Sequence, residues 1–457
     1  MKKTKISLIG AGSGCFSLGL IRELGRSKVL SNCTVSLMDI NEERLNAVHN
    51  LCVRYTKEVG GSLEFETTTD RAESLKGADF VINTALAAPH HRLQEGWKIA
   101  EKYGFRFAGS YHVMYDEAFW INFYQFRLME DITRDILTYC PNAWHLMVAN
   151  PMVAGTTLLQ RKYPQVKMVG LCHGYAMCHH IAQDLGFDKD AIHYQMPGVN
   201  HFVWMNQAHL NGEPFFPYLD KWLEEKSEKF WENKEGRTGY AGQVNLSRKR
   251  MDFYKTHGVI GIGDTLSWTG ASWPWWYHTD EATEKKFDLY PAAAGWNYYF
   301  REVKENAQNI IDMANDPNAS VSDFLANVED DNLMVPLVEA IAGDIPRVLI
   351  VNLLNKGQLV PGLPEDFEVE VHALCNGDGV HPIATTPLPK SIIAHTLRDR
   401  VAPVEMELAA YETGDINLLR ELVLMDKWAT SMDQVSAFID EILDLPYHKE
   451  MKEHFKK

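Results

Sequence analysis

Three short stretches carry residue types that do chemistry. Val169-Gly170-Leu171-Cys172-His173-Gly174-Tyr175 sets a thiol and an imidazole directly after an apolar run, and Gly198-Val199-Asn200-His201-Phe202 sets another imidazole in a polar turn. One cysteine with one or two histidines suits a borderline divalent metal and leaves coordination positions open for a substrate. On spacing alone, a small buried thiol and structural histidines account for the same residues. The third stretch is Ile6-Ser7-Leu8-Ile9-Gly10-Ala11-Gly12-Ser13-Gly14, an apolar strand running into a glycine-rich turn. Glycines let the backbone approach a pyrophosphate, and the N-terminus of a following helix supplies N–H donors. The dinucleotide fingerprint wants its third glycine one place later, where this chain has Cys15. Asp39 closes the next apolar run, where a carboxylate accepts hydrogen bonds from a ribose diol. An acid there favours NAD over its 2′-phosphorylated form through charge repulsion.

These groups need elements to hold them. The chain has 457 residues, 46% hydrophobic and 23% charged, enough for two or three domains and a large core. Apolar runs at Lys5–Ile9, Thr34–Met38, Asp79–Thr84 and Trp144–Ala149 predict buried strands, with helices over Ser17–Leu24 and Glu42–Val59. That alternation predicts an α/β fold with a parallel sheet. Residues 136–160 carry no charge but hold Pro141, Asn142, His145, Asn150 and Pro151, which suit a helix end, strand and loop better than a membrane span. From about residue 196 the pattern changes to aromatic loops, short strands such as Val348–Leu353 and Glu368–Ala373, and a mostly helical stretch over 393–445. The reading is a nucleotide-binding domain at 1–195 and an α+β substrate and oligomerisation domain at 196–457, closely packed around a cleft.

Acidic residues outnumber basic ones, 61 to 45, for a net charge of −16, which disfavours nucleic acid or an anionic membrane as the main partner. Seven cysteines are sparse and odd in number, as expected of free thiols in a reducing cytoplasm. The basic N-terminus followed by an apolar stretch imitates a secretory signal, but the glycines serve better as a nucleotide turn. Trp268, Trp273, Trp275, Trp276, Tyr277 and His278 form an aromatic run that either covers the apolar face of a sugar or fills an interface or core corner.

Taken together, Gly10-x-Gly12-Ser13, Leu37-Met38-Asp39-Ile40, Gly77-Ala78-Asp79-Phe80-Val81, Asn150-Pro151, Gly170-Leu171-Cys172-His173-Gly174 and Gly198-Val199-Asn200-His201 resemble glycoside hydrolase family 4 in order and spacing. The resemblance runs through Gly379-Val380-His381-Pro382 and the C-terminal helices. It implies a Rossmann-like N-terminal domain of the lactate/malate dehydrogenase type, an α+β C-terminal domain, NAD, a divalent metal such as Mn2+, a small carbohydrate substrate, and a homodimer or homotetramer. It implies Cys172 and His201 as metal ligands, Asn150 as a contact to sugar hydroxyls, His173 as the group assisting leaving-group departure, and Asp264 as the base. Gly10, Gly12, Ser13, Asp39 and Asn83 would line the nucleotide. The reaction implied is transient oxidation of the sugar at C3, loss of the C2 proton, elimination at C1, addition of water and return of the hydride, outside the paired-carboxylate scheme.

Cys172-His173-Gly174 and Ile262-Gly263-Asp264-Thr265 resemble the branch acting on non-phosphorylated α-glucosides or α-glucuronides. An α-galacturonidase or α-galactosidase is the alternative within the family. Arg106 and His112 either pair with a uronate carboxylate or are surface residues. Outside the family, a sugar or hydroxy-acid dehydrogenase with net hydride transfer competes, as does a non-catalytic nucleotide or sugar sensor.

Overall fold

In the computed structural model, residues 3–233, 244–267, 273–289, 294–326 and 332–455 are described. The N-terminal strands are β1 (Lys5–Ile9), β2 (Thr34–Met38), β3 (Glu64–Thr68), β4 (Phe80–Asn83), β5 (Trp144–Met147) and β6 (Lys167–Gly170). They pair in the order β3-β2-β1-β4-β5-β6, all parallel, with Ile6 opposite both Val35 and Phe80. Strands covered on both faces read as continuous apolar runs, and β1, β2, β4 and β5 do. β3 ends the sheet, and its Glu-Phe-Glu-Thr-Thr sequence keeps charge on an open edge. The strand order reverses between β1 and β4, and in such sheets ligands bind outside the carboxyl ends at that switch point.

The second half continues the same sheet. The later strands are β7 (Ile192–Gln195), β8 (Gly198–Val199), β9 (Phe202–Met205), β10 (Gln207–Leu210), β11 (Glu213–Pro214), β12 (Ile260–Ile262), β13 (Arg347–Leu354), β14 (Glu368–Asn376) and β15 (Gly379–Pro382). β13 joins β6 antiparallel at Asn352 and Gly170, and β14, β8, β9 and β12 follow in antiparallel order, with β15 on β14. β7, β10 and β11 form a separate small sheet. Helices dominate 390–454. One apolar core lies about Ile6, Leu37, Ile82, Leu146 and Val169; another gathers Trp120, Phe126, Trp204, Phe253 and Phe438. No helix among the described residues is long and apolar enough to cross a membrane.

The aromatic run belongs to that second core. Trp273 is buried against Phe202, Trp204 and Phe253, and its indole N–H donates to Asp399 at 2.8 Å. The Tyr277 hydroxyl donates to Asp252 at 2.7 Å, and His278 is buried. The expectation of a sugar platform therefore gives way to the core reading for these three. Trp268 lies outside the described residues.

Candidate active site

The glycine turn leaves β1 at its carboxyl end. Gly10 sits at φ +89°, and a Cβ there would stand 2.8 Å from the backbone of Ala85 at the end of β4. A short 3-10 turn, Ala11–Ser13, then leads into the helix Cys15–Arg26, with Ser13 exposed. Asp39, just past β2, accepts from the Gly12 amide at 2.8 Å through one oxygen and from the Asn41 amide at 2.8 Å through the other. A Cβ on Gly12 would lie 2.8 Å from the Asp39 carboxylate. Asn83, the last residue of β4, is fully buried; its side-chain oxygen accepts from Ala85, and its Nδ2 has no partner among the described residues. A buried donor left unpaired is costly, so an acceptor from a bound molecule is the natural complement. The close approaches and the orphan donor fit a dinucleotide.

The next two parallel strands deliver the other half. β5 leads to Asn150, whose Nδ2 donates to Asp116 at 3.2 Å. β6 leads to Cys172, half-buried, whose sulfur accepts from the Gly174 amide at 3.5 Å. The β8–β9 turn carries His201, which is hydrogen-bonded to Cys172. His201 is held at φ +57°, a left-handed conformation uncommon for a non-glycine residue and concentrated at functional sites. Asp264 lies in the 3-10 turn Gly263–Leu266 that follows β12. Its Oδ2 is 3.8 Å from His201 Nε2, and its side chain is 51% exposed. Backbone contact makes this possible: a Cβ on Gly263 would meet Gly174 Cα at 3.3 Å, so the Asp264 turn lies against the Cys172 loop.

Burial opposes a positive charge on His201, yet Cys172, Glu117 and Asp264 outweigh it and raise its pKa well above the usual histidine value. A ring so surrounded by anionic donors is set up to face a cation. Glu117 Oε1 stands 3.3 Å from His201 Nδ1. Burial alone would raise the Glu117 pKa, but His201, Arg400 and His112 hold it below the usual carboxylate range. Burial and the neighbouring Glu117 charge push Asp116 the other way, upward. Behind the turn, Glu368 and Glu370 of β14 are both buried and accept from the backbone and side chain of Asn200 at 3.2 and 2.8 Å. Burial raises both of their pKa values. No three ligand-type side chains among the described residues form a complete metal cage. A thiol and an imidazole, with a carboxylate behind the ring, are a donor set that fits a borderline metal with open positions.

The structure thus gathers Gly10, Gly12, Asp39 and Asn83 about the carboxyl ends of β1, β2 and β4, and Asn150, Cys172, His201 and Asp264 beyond the carboxyl ends of β5 and β6. His173 is exposed beside Cys172. Arg106 and His112 are not a pair at the site. Arg106 is exposed and lies over the Trp428 ring at 5.1 Å, while His112 is buried with Nδ1 3.1 Å from Glu407. The sequence reading passed over Glu117, Asp116, Glu368 and Glu370. The alternating polar positions of β14, Glu368 and Glu370 within an otherwise apolar run, were the available signal.

Comparison with known proteins adds to this geometry. The model of the family 4 glycosyl hydrolases matches residues 5–187, and that of their C-terminal domain matches residues 196–429. The chain belongs to glycosyl hydrolase family 4. Among relatives, an α-galacturonidase of Lachnoclostridium phytofermentans is 23% identical over 96% of this chain and 95% of its own length. An α-glucosidase of Erwinia rhapontici is 25% identical over 97% of each. Among solved structures, a 6-phospho-α-glucosidase from gut microorganisms, in complex with NAD and Mn2+, superposes with a TM-score of 0.74 at 18% identity, covering 98% of this chain and 99% of that one. This family 4 hydrolase shares their fold along its whole length, and its nucleotide-type turn and its Cys172–His201 pair lie on the same edge of that fold.

Proposed function

We propose that the protein hydrolyses non-phosphorylated α-glycosides, of the α-glucosidase or α-glucuronidase type, by oxidation, elimination, hydration and reduction. The observation that carries the reading is the convergence of Cys172, His201 and Asp264, with His201 Nε2 3.8 Å from the Asp264 carboxylate. When bound, NAD supplies a reversible hydride acceptor for C3, and a divalent metal such as Mn2+ supplies a Lewis acid for the C2 and C3 oxygens. Cys172 and His201 would hold the metal, and Glu117 would fix which ring nitrogen of His201 faces it. Gly10, Gly12 and Ser13 seat the pyrophosphate, Asp39 the ribose, and the unpaired Asn83 Nδ2 donates to the nucleotide. Asn150 holds a sugar hydroxyl in place. Asp264 takes the proton from C2, and the electron pair left there expels the C1 substituent, which His173 protonates. Water then adds at C1 and a proton is returned to C2, so that the sugar leaves with its original oxidation level.

The carboxylates about Asp264 weigh most against a dianionic phosphate, less against a singly charged uronate, and not against a neutral glucoside. Asp116, Glu117 and Asp264 are acidic, while Arg250 is spent on backbone carbonyls. An α-galacturonidase is the second reading, favoured by the Lachnoclostridium relative. A cytoplasmic location is supported by the six free thiols whose side chains are described. A homodimer or homotetramer is supported by exposed Val348 and Leu374, which stand opposite each other in register on β13 and β14.

The test is a panel of nitrophenyl α-glucoside, β-glucoside, α-galactoside, α-glucuronide and α-galacturonide. Each is assayed with NAD, Mn2+ and a thiol reductant, and again with each omitted. Release on an α-glucoside or α-glucuronide that needs all three, with no net NADH, is expected. Stoichiometric NADH from free sugars, with no glycoside cleaved, would replace the proposal with a dehydrogenase.

A further inference from the structure

The helix Arg248–His257 precedes β12 and begins with three consecutive cations, of which Lys249 and Arg250 are 0% exposed. Arg250 Nε donates to the Gly261 carbonyl at 2.7 Å, Nη2 to the Gly263 carbonyl at 3.1 Å, and Nη1 to the Asn245 carbonyl at 2.6 Å. Gly261 lies in β12, and Gly263 immediately precedes Asp264. Lys249 Nζ donates to the Ser267 carbonyl at 3.0 Å, on the far side of the same turn, and lies 3.1 Å from His278 Nε2. We infer that Arg250 is a positioning residue for Asp264, fixing the turn so that the carboxylate reaches the substrate.

Three observations support this. Burying a guanidinium is costly, and apolar side chains fill such space more cheaply, so a buried Arg whose bonds all end on main-chain oxygens is there for their positions. The planar fork holds its acceptors in fixed relative directions, which a lysine cannot do. Thr265 is tied to Val203 of β9 at 2.9 Å and the Gly263 amide meets the Met177 sulfur at 3.1 Å, while two carbonyls just before Asp264 in the chain, those of Gly261 and Gly263, both accept from Arg250. Asp264 is also the strongest of the charges acting on Arg250, ahead of Asp184.

The inference rests on Asp264 being the base, and the experiment separates the two. In the full-length protein with NAD and Mn2+, Arg250→Lys and Asp264→Asn are compared for turnover of the best nitrophenyl glycoside. Both are also scored for exchange of the C2 proton of the released sugar in D2O, and for affinity for NAD and Mn2+. Displacing a reacting group by about 1 Å costs about 100-fold. Arg250→Lys should lower kcat by about that much, leave KM within about twofold, and keep NAD and Mn2+ affinity. C2-deuterated substrate should show a larger isotope effect in this variant, because proton removal becomes the slow step. Added guanidinium ion should restore part of the lost kcat in Arg250→Ala. A fall spread over NAD and Mn2+ affinity, an unchanged kcat, or an unchanged isotope effect would overturn the inference while Asp264→Asn still tests the base. Full activity in Asp264→Asn would remove the base reading and the positioning role together. Should the arginine variants not fold, Lys249→Met loosens the other end of the turn and is read in the same way.

Discussion

Gly12→Ala isolates the nucleotide half of the site. The Gly12 amide donates to Asp39 at 2.8 Å, and the new Cβ would stand 2.8 Å from the same carboxylate and 3.1 Å from Arg44 Cβ. Real Cβ atoms do not approach so closely, so the carboxylate must swing away. It then loses both its tie to the turn and its alignment with the ribose diol. A hydrogen bond to a charged group is worth about 1.5–3 kcal/mol, which at 1.36 kcal/mol per tenfold predicts NAD affinity weaker by about 10- to 150-fold. Calorimetric titration with NAD measures it. Gly25→Ala in the following helix is the control, because its Cβ meets nothing nearer than Tyr55 at 3.4 Å. Activity of Gly12→Ala should recover at high NAD, since the metal half is untouched. NAD affinity within twofold of the parent, with Gly25→Ala equally unchanged, would refute the claim that Asp39 reads the ribose through this contact.

Cys172→Ser should lose Mn2+ binding by direct titration and retain NAD binding, because it removes the soft donor and leaves the glycine turn alone. Glu117→Gln should weaken Mn2+ binding by about 10- to 100-fold, the usual effect of losing the carboxylate behind a ligating histidine; unchanged affinity would mean that His201 needs no such partner. His145 of β5 is buried, neither ring nitrogen is hydrogen-bonded among the described residues, and burial pushes its pKa down to about 4. The unfolded chain takes up this proton near 6.5 while the folded chain refuses it until about 4, so stability falls as pH drops through that window. The full loss is about 3 kcal/mol at 1.36 kcal/mol per pH unit. His145→Leu should flatten that part of the stability–pH curve in urea unfolding at pH 7 and 4.5, and parallel curves would count against it.

What the sequence reveals follows from which forces are local. β1 and β2 occupy the residues their apolar runs predict, Lys5–Ile9 and Thr34–Met38, because strands buried on both faces must be apolar throughout. β3 escapes that signal, since an edge strand carries Glu64 and Glu66 into solvent. The helix Cys15–Arg26 starts before and ends after its predicted span, as helix ends are set by packing as much as by pattern. Gly10, Gly12 and Asp39 are legible because a short βαβ unit brings them together. Glu117 is not, because only the tertiary fold sets it behind His201. Arg106 and His112, close in sequence, meet different surroundings for the same reason: one stacks on Trp428 outside and the other is buried against Glu407.

The two halves of the site come from one edge of one sheet, and that bears on the competing readings. A dehydrogenase needs the carboxyl ends of β1, β2 and β4, where Gly12, Asp39 and Asn83 gather. An ordinary, metal-free hydroxy-acid dehydrogenase has no use for a thiol–imidazole pair suited to a metal beyond the ends of β5 and β6. Here those strands lead to Asn150 and Cys172, and the antiparallel extension folds back to add His201 and Asp264. Holding His201 at φ +57° and burying Glu117, Glu368 and Glu370 about its turn all act against stability. Such costs are sustained where a reaction needs them. Proton removal at C2 needs a base beside a metal-held sugar, and hydride transfer at C3 needs the nicotinamide across from it. The proposed reaction would use both clusters in one turnover, returning its hydride without net NADH, which is what separates it from a dehydrogenase in the assay.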